Sequence, residues 1–390
     1  MELEDVAALT SAVGLAALAA ADQVADGDPL AAASALRAGG IEPRLAAAAL
    51  TQAVLRRRAR TKFGADADRL LFTRTGLEQA TRAVVANRRA ERLKAAGATR
   101  VADLGCGIGA DTIAFARTGL AVVAVDRDPV SAAIAEHNVR TLGLAATVST
   151  MDATATDLSD VDAVFCDPAR RKGTRRVFDP AAYEPPWDFV AALPQRVPRA
   201  VLKLAPGIDH ALLPDGAEGE WVSVDGDVVE ATVWCGPLAQ TPRRATVIRG
   251  PGIAALEGTG QRQAPVKDAG RYLIDPDGAV VRSHLVAEFA DQVDGHLADA
   301  TIAYVYTGQP ARTPFGRGYQ VHGRLPIALK KLRAALRAED VGSVTILKRG
   351  SALDVEQLRR DLRLSGTRPA TIALTRIGGE PAALLLEPQD

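Results

Sequence analysis

The chain has few cysteines, few aromatic residues and no excess of charge of either sign. It holds three cysteines in 390 residues, and aromatic residues make up 4% of it. Cys106, Cys166 and Cys235 form neither a disulfide framework nor a zinc-binding pattern, so we expect small buried thiols in a reducing compartment. Lysine and arginine together number 47, as do aspartate and glutamate, so the formal net charge is zero. This balance excludes a global positive field for nucleic-acid binding but allows local basic patches.

Long apolar runs are also missing from the chain. No run reaches the roughly 18 apolar residues that a membrane helix needs. The first five residues, Met1 to Asp5, carry acids where a signal peptide would carry basic residues. We therefore predict a cytoplasmic protein without a membrane partner. The length of 390 residues predicts two or three domains, and 47% hydrophobic with 24% charged residues is typical of globular proteins.

The most informative stretch runs from Val101 to Ala110 and reads Val-Ala-Asp-Leu-Gly-Cys-Gly-Ile-Gly-Ala. A short apolar strand leads into three alternating glycines and an amphipathic segment, and a second apolar strand then ends at Asp126. This order is typical of a βαβ nucleotide-binding unit. Glycines let the backbone turn sharply and approach a ligand closely, and an acid at the tip of the second strand can accept both hydroxyls of a ribose. The stretch therefore predicts a ligand that contains adenosine.

Two classes of ligand fit this spacing. Gly105, Gly107 and Ala110 also satisfy the relaxed fingerprint of dinucleotide-binding proteins. Asp103 favours the other class, because a carboxylate at the end of the first strand suits the cationic amino-acid part of S-adenosylmethionine and would repel a pyrophosphate. A nicotinamide-dependent oxidoreductase and a glycine turn without a ligand remain the alternatives.

The Asp-Leu-Gly-Cys-Gly-x-Gly run resembles the first motif of class I S-adenosylmethionine-dependent methyltransferases. The resemblance implies a set of cofactor-binding residues: Asp103, Gly105, Gly107, Gly109, Asp126, Asp152 and Thr75. Asp152 follows the third predicted strand, where an acid often binds the adenine amino group, but an aspartate that caps the next turn fits the same position. Thr75 lies in the segment before the first strand, which packs over the cofactor in this family, and a plain packing helix over 74–95 is the alternative.

A second motif follows the fourth predicted strand, 161–166, and reads Asp167-Pro168-Ala169-Arg170. Ligands of such sheets bind at the carboxyl ends of the strands where the strand order reverses, so we expect the chemistry here. The loop resembles the Asn/Asp-Pro-Pro-aromatic loop of methyltransferases that act on nitrogen, with Ala169 in place of the second proline and Arg170 in place of the aromatic residue. It looks closer to the Asp-Pro-Pro-Arg loops of some RNA methyltransferases. The resemblance implies that Asp167 and the Pro168 carbonyl orient an acceptor amine and that Arg170 grips a phosphate.

Local basic clusters indicate an anionic substrate. One cluster forms a lip after the Asp-Pro motif: Arg170, Arg171, Lys172, Arg175 and Arg176. The basic run 56–62 is interpreted as a solvated helix end, with a phosphate-contacting patch as the alternative. Lys203, Lys348 and Arg349 are candidate anion contacts, with ordinary surface charge as the alternative. His322 has no neighbour in the sequence that would make it a base, so we interpret it as a surface or core histidine.

We predict an α/β fold, with a doubly wound, seven-stranded, Rossmann-like methyltransferase sheet over 62–240. Its last two strands form an antiparallel hairpin around Asp225-Gly226, a strong turn signal. A helical N-terminal region, 1–61, precedes the sheet, with helices expected at 4–21, 29–37 and 42–60.

A C-terminal α+β domain is predicted over 246–390. Its segments Tyr319-Gln320-Val321-His322 and Ile346-Leu347-Lys348-Arg349-Gly350 resemble the THUMP-like domain that follows a methyltransferase domain in a family of bacterial proteins. Because THUMP domains proper bind RNA, the resemblance implies an RNA-facing accessory domain.

The predicted function is therefore S-adenosylmethionine-dependent methylation, with an RNA base nitrogen as acceptor, RNA as partner and no metal ion. Such a transfer needs mainly alignment of the nucleophile with the methyl carbon, which contributes on the order of 7–11 kcal/mol. A non-catalytic RNA-binding protein with a vestigial pocket is the alternative that the Ala169-Arg170 departure favours.

Overall fold

The computed structural model describes residues 1–170 and 183–389, with the backbone alone for residues 169 and 170. The chain divides into two compact units. The first comprises Met1–Leu204, Asp209–Ala217 and Val233–Gln240, and the second comprises Ala205–Ile208, Glu218–Thr232 and Thr241–Asp390. The domain limits 1–61, 62–240 and 246–390 stay predictions.

The first unit begins with four helices: α1 (Leu3–Thr10), α2 (Ala12–Val24), α3 (Pro29–Ala38) and α4 (Pro43–Phe63). The predicted helix 4–21 is wrong as a single element, because α1 and α2 meet at Ser11 with an 85° bend. The Ser11 hydroxyl donates to the Ala8 carbonyl and accepts the N–H of Gly14, so it closes one helix and caps the next. A Cβ at Gly14 would lie 2.0 Å from the Ala8 carbonyl oxygen, so the bend requires glycine there.

The remaining helices of the first unit are α5 (Arg74–Gln79), α6 (Ala83–Ala95), α7 (Ala110–Arg117), α8 (Pro129–Thr141) and α9 (Trp187–Arg196). The single helix predicted over 74–95 is thus two helices, since the backbone leaves the helical region at Ala80, where ψ is 136°. Asp128 caps α8 by accepting N–H groups of its first turn, and Pro129 follows at the first helical position.

The strands that begin in the first unit are β1 (Arg100–Leu104), β2 (Ala121–Asp126), β3 (Thr147–Thr150), β4 (Ala163–Cys166), β5 (Ala169–Arg170), β6 (Tyr183–Glu184) and β7 (Ala200–Leu204). Five of them lie parallel in the order β7-β4-β1-β2-β3. The order reverses between β1 and β4, which is the switch point where such sheets bind ligands. Strands β5 and β6 form a separate antiparallel pair.

The second unit holds most of the later strands: β8 (Glu218–Val224), β9 (Asp227–Trp234), β10 (Arg243–Arg249), β11 (Gly252–Gly258), β12 (Tyr272–Pro276), β13 (His296–Leu297), β14 (Val305–Thr307), β15 (Gly316–Leu325), β16 (Val341–Lys348), β17 (Arg368–Ile377) and β18 (Glu380–Pro388). Strands β8 and β9 are neighbours joined by Asp225 and Gly226, whose φ values are 54° and 93°. The predicted hairpin is therefore present. Strand β9 has residues in both units, ending in Val233 and Trp234 of the first.

Nine strands form the larger sheet, in the order β11-β10-β8-β9-β7-β4-β1-β2-β3. This mixed sheet confirms the predicted α/β class, and β10 and β11 extend it beyond the seven expected strands. The other sheet has the order β13-β14-β12-β15-β18-β17-β16. The helices of the second unit are α10 (Gly278–Arg282), α11 (Val286–Gln292), α12 (Leu329–Ala338) and α13 (Val355–Leu362). The last two pack Leu332, Leu336, Leu358 and Leu362 against one face of this second sheet.

Candidate active site

The candidate site lies in the first unit, where β1 and β4 end side by side. Leu104 of β1 is the register partner of Cys166 of β4, so the residues that follow the two strands share one edge of the sheet. Asp103 precedes this edge on β1, and Asp167 follows β4 directly. Two of the predicted functional carboxylates are therefore brought together by parallel pairing.

Asp103 is fully buried at the end of β1. Burial raises the pKa of its carboxyl to about 8, and the nearby Asp111 carboxylate adds to the increase. The Thr112 hydroxyl donates to Oδ2 of Asp103 over 2.5 Å. Among the described residues no group donates to Oδ1, so one oxygen of a buried carboxyl is left for a donor from outside.

The glycine turn connects β1 to α7 with positive φ at every second residue. Gly105, Gly107 and Gly109 have φ values of 83°, 56° and 87°, a region that side chains with a Cβ rarely adopt. A Cβ at Gly105 would lie 3.3 Å from the Asp167 carbonyl oxygen, and one at Gly109 would lie 3.2 Å from the Ala135 Cβ. Apart from its two chain neighbours, no described residue has an atom within 4 Å of a Cβ built at Gly107, so the backbone of Gly107 faces open space among these residues.

Asp126 is the last residue of β2, and its carboxylate contacts the glycine turn. Its Oδ2 accepts the N–H of Gly107 over 2.8 Å, and its Oδ1 accepts the N–H of Asp128 over 2.9 Å. Burial raises the pKa of Asp126, and those two hydrogen bonds oppose the increase. The carboxylate is thus held in one orientation beside the turn, while it remains partly exposed.

Asp152 and Thr75 lie at more exposed positions than the glycine turn. Asp152 caps a short 3-10 turn after β3, where Oδ1 accepts the backbone N–H and the hydroxyl of Thr154, and these bonds lower its pKa. Asp152 therefore caps this turn, as the alternative interpretation of the sequence predicted. Thr75 is exposed on α5, whose Gly76 would place a Cβ 2.5 Å from Ile108 of the glycine turn.

Asp167 is joined to a lysine from the neighbouring strand. The Lys203 ammonium on β7 lies 2.6 Å from Oδ2 of Asp167, and the two side chains are 12% and 32% exposed. Pro168 is buried, and the side chain of Arg170 lies outside the description. The other lip residues, Arg171, Lys172, Arg175 and Arg176, fall between the described ranges.

Three residues that sequence reasoning did not connect to the site support it from other elements. Thr112 of α7 holds Asp103. The buried Asn138 amide of α8 donates to the carbonyls of Ile108 and Leu71, which fixes the middle of the glycine turn. Lys62 of α4 donates to three carbonyls at the end of α5. These pairs lie 9 to 67 residues apart, so no local pattern could have predicted them.

The basic run 56–62 is neither a simple solvated end nor an open phosphate patch. The buried Arg56 donates to the Leu70 carbonyl and pairs with Asp22. Three more cations of this run have partners within the chain. Arg57 contacts the Ala25 carbonyl and Asp26, Arg60 pairs with Asp68, and Lys62 donates to the α5 carbonyls. Intramolecular contacts thus occupy most of this predicted cluster.

The candidate anion contacts of the second unit also have partners within the chain. Arg349 pairs with Asp275 and donates to the Pro276 carbonyl, while the Lys348 ammonium donates to the Leu353 carbonyl. His322 is exposed and lies 2.7 Å from a carboxylate oxygen of Glu387. The surface interpretation of His322 is therefore confirmed, and ordinary structural charge accounts for Lys348 and Arg349.

Within residues 1–170 and 183–389, no group of three or more histidine, cysteine or acidic side chains could hold a metal ion. Cys106, Cys166 and Cys235 are buried free thiols, as expected. Across the same residues, no single helix is long and apolar enough to cross a membrane, and the bent pair α1 and α2 meets that test by length and composition only.

Comparison with known proteins places these features in a family. A methyltransferase domain model matches residues 101–177, a THUMP domain-like model matches 316–388, and a model of a domain of unknown function matches 2–59. Relatives from two strains of Mycobacterium tuberculosis, each described as an uncharacterized S-adenosylmethionine-dependent methyltransferase, are 38% identical over 336 residues, covering 83% of this chain and 91% of each relative. The crystal structure of a candidate methyltransferase from Porphyromonas gingivalis has the same fold, with a TM-score of 0.73 and 20% identity over 99% of this chain and 98% of its own.

The chain therefore belongs to the family of S-adenosylmethionine-dependent methyltransferases. It is an enzyme, and S-adenosylmethionine is its cofactor. These findings confirm the predicted class and cofactor and the THUMP-like character of the C-terminal region. Neither the nicotinamide-dependent alternative nor the non-catalytic protein with a vestigial pocket is favoured.

Proposed function

We propose that this enzyme methylates a nitrogen atom of an RNA base. In this proposal Asp167 and the Pro168 carbonyl orient the acceptor amine, and Arg170 binds an adjacent phosphate. The observation that carries the proposal is the position of Asp167. It follows β4 at the switch point, with its carbonyl oxygen 3.3 Å from where a Gly105 Cβ would lie, so it borders the glycine turn without being part of it.

The cofactor would be held by residues around that turn: Asp103, Gly105, Gly107, Gly109, Asp126, Asp152 and Thr75. The unpartnered Oδ1 of Asp103 suits the ammonium group of the amino-acid part, because a buried carboxyl gains most from a charged donor. Asp126 is oriented by two backbone N–H groups and is partly exposed, which suits the ribose hydroxyls. The open face of Gly107 allows a ligand to approach the backbone.

Methyl transfer requires the protein mainly to align the acceptor nitrogen with the methyl group. When bound, S-adenosylmethionine would supply the methyl group of its cationic sulfonium to an in-line nitrogen. The bond from sulfur to the methyl carbon would break as the bond to nitrogen forms, so that the neutral thioether leaves and solvent takes the proton that the nitrogen loses. Asp167 would accept an N–H of the acceptor amine and fix its lone pair toward the methyl group, while its ion pair with Lys203 holds the carboxylate in place. No general acid or metal is needed for this role.

Two sequence features support RNA as the acceptor. The C-terminal match, 316–388, is to a THUMP domain-like family, and THUMP domains proper are RNA-binding modules. The Asp-Pro motif is followed in the sequence by the cations Arg171, Lys172, Arg175 and Arg176, a concentration that favours an anionic substrate.

The test is mass spectrometry of nucleosides from total RNA of a strain that lacks the gene. We expect one methylated nucleoside to disappear and to return on complementation with the wild-type gene. Complementation with Asp167→Ala should fail although the purified variant still binds S-adenosylmethionine. Lys94→Met, an exposed lysine at the end of α6, is the matched control and should restore the nucleoside.

Two outcomes would contradict the proposal. An unchanged nucleoside profile in the deletion strain would exclude RNA as the acceptor. Full complementation by Asp167→Ala would remove Asp167 from the catalytic site.

A further inference from the structure

The end of α5 meets two lysines that come from different elements. The Lys62 ammonium on α4 lies 2.8, 2.7 and 2.9 Å from the carbonyl oxygens of Leu77, Glu78 and Ala80. The remaining carbonyl of this turn, that of Gln79, lies 3.5 Å from the Lys203 ammonium. The last carbonyls of a helix have no partner within the helix, so these cations satisfy the end of α5.

Lys203 differs from Lys62 because it also faces the Asp-Pro loop. Its ammonium lies 2.6 Å from Oδ2 of Asp167, and 12% of its side chain is exposed. Lys203 stands on β7, which is paired in parallel with β4, and Leu202 is the register partner of Cys166. The sheet itself therefore places Lys203 opposite Asp167.

We propose that Lys203 is a positioning residue of the methyltransferase site, whose ammonium holds the Asp167 carboxylate and the end of α5 at a fixed separation. The inference rests on the proposed role of Asp167 toward the acceptor. Helix α5 carries Thr75, to which the proposal gives a role in cofactor binding, and Asp167 is the residue proposed to orient the acceptor. The Lys203 ammonium thus links helix α5 to the Asp167 carboxylate, and in-line transfer requires the cofactor and the acceptor to be aligned.

Charge explains why an ammonium is needed at this position. Asp103 on β1 is an acidic group near Asp167, and the repulsion between the two contributes to the raised pKa of Asp103. Lys203 provides the opposite charge at hydrogen-bonding distance, which favours the ionised form of Asp167. Removing this ammonium would take an opposite charge away from Asp167 at the end of the sheet where Asp103 also lies.

The first experiment follows the Asp167 carboxyl itself and needs no acceptor. Protein labelled with 13C at the aspartate carboxyl is titrated by NMR, and Asp167→Asn identifies the resonance. In Lys203→Met, which removes the charge at similar length, the midpoint should rise by about one pH unit or more. Lys203→Arg and the control Lys94→Met should titrate near wild type. Lys203→Gln replaces Lys203→Met if the latter does not fold.

The second experiment measures transfer of tritium from methyl-labelled S-adenosylmethionine to RNA extracted from the deletion strain. Lys203→Met should lower kcat about 100-fold and change KM for S-adenosylmethionine less than about threefold, since the described contacts of Lys203 are to Asp167 and the Gln79 carbonyl. Lys203→Arg should recover most of the rate. This pattern separates positioning from a general loss of structure, which would also weaken cofactor binding.

An unchanged carboxyl midpoint in a Lys203 variant that binds S-adenosylmethionine normally would overturn the inference. So would a normal kcat in Lys203→Met when Asp167→Asn is inactive. If the wild-type enzyme transfers no methyl group to this RNA, the proposed acceptor is wrong, while the titration still decides whether Lys203 controls Asp167.

Discussion

Replacing Asp103 by asparagine should stabilise the cofactor-free enzyme, and increasingly so as pH rises. The carboxyl has an ordinary pKa of 3.8, which burial raises to about 8 in the folded protein. Between these two values the folded state keeps a proton that the unfolded state has lost. The free energy of unfolding therefore falls by about 1.4 kcal/mol per pH unit across this window and is constant again above it.

The size of the change in free energy of unfolding follows from the width of the pH range between the two pKa values. At pH 7 the accumulated loss is about 4 kcal/mol, and above pH 8 it reaches about 6 kcal/mol. Asparagine does not titrate, and its amide oxygen can still accept the Thr112 hydroxyl that now donates to Asp103. Asp103→Asn should therefore match wild type near pH 4 and exceed it at neutral pH, at the expense of cofactor binding.

Urea unfolding of both proteins, followed by circular dichroism at about pH 5, 7 and 9, tests this reasoning. The stability difference between Asp103→Asn and wild type should grow with pH. Glu91→Gln, at an exposed carboxyl on α6, is the matched control and should show no such growth. If the difference in free energy of unfolding stays constant over this pH range, the pKa of Asp103 is not raised. The argument that its carboxyl binds the ammonium group of the cofactor would then lose its basis.

Three further predictions concern the same site. Because an ammonium partner favours ionised Asp103, S-adenosylmethionine binding near pH 7 should release close to one proton, measured by calorimetry in buffers of different ionisation enthalpy. Asp126→Ala should weaken that binding severely, about 100-fold or more by calorimetry, because the ribose acid is lost. Lys62→Met should lower the free energy of unfolding by about 2 kcal/mol in urea titrations, since three α5 carbonyls lose a charged donor.

Each of these has a clear contrary result. Cofactor binding without proton release would mean that Asp103 is already ionised. Near-normal affinity in Asp126→Ala would remove the ribose assignment. Unchanged stability in Lys62→Met would show that water satisfies the α5 carbonyls as well as the ammonium does, and Lys94→Met provides the comparison for loss of an exposed lysine.

The glycine turn and its flanking acids were predictable because their geometry is local. Gly105, Gly107 and Gly109 follow a strand directly, and their positive φ values are what alternating glycines allow. The two-residue hairpin at Asp225-Gly226 is local in the same way. The ends of the helices were less predictable from composition. The Ser11 hydroxyl closes α1, and the change of ψ at Ala80 ends α5, although the composition of both segments favours a longer helix.

The contacts of the charged side chains were not predictable from their neighbours in sequence. Arg56 and Lys62 belong to a run that looks like a solvated helix end, yet they bind carbonyls 14 to 18 residues away. Lys203 reaches Asp167 across 36 residues because β7 pairs with β4. Such partners depend on which strands become neighbours, which no local pattern specifies.

By itself the sequence determined the βαβ nucleotide-binding unit, the carboxylates that end its strands and hence the class of enzyme, because each of these depends on residues adjacent in the chain. Only the tertiary structure decided the electrostatics of the site. Burial of Asp103 raises its pKa to about 8, and the pairing of β4 with β7 gives Asp167 its cation. Burial and strand pairing arise from the packing of distant segments, so the raised pKa of Asp103 and the ion pair of Asp167 both follow from the fold.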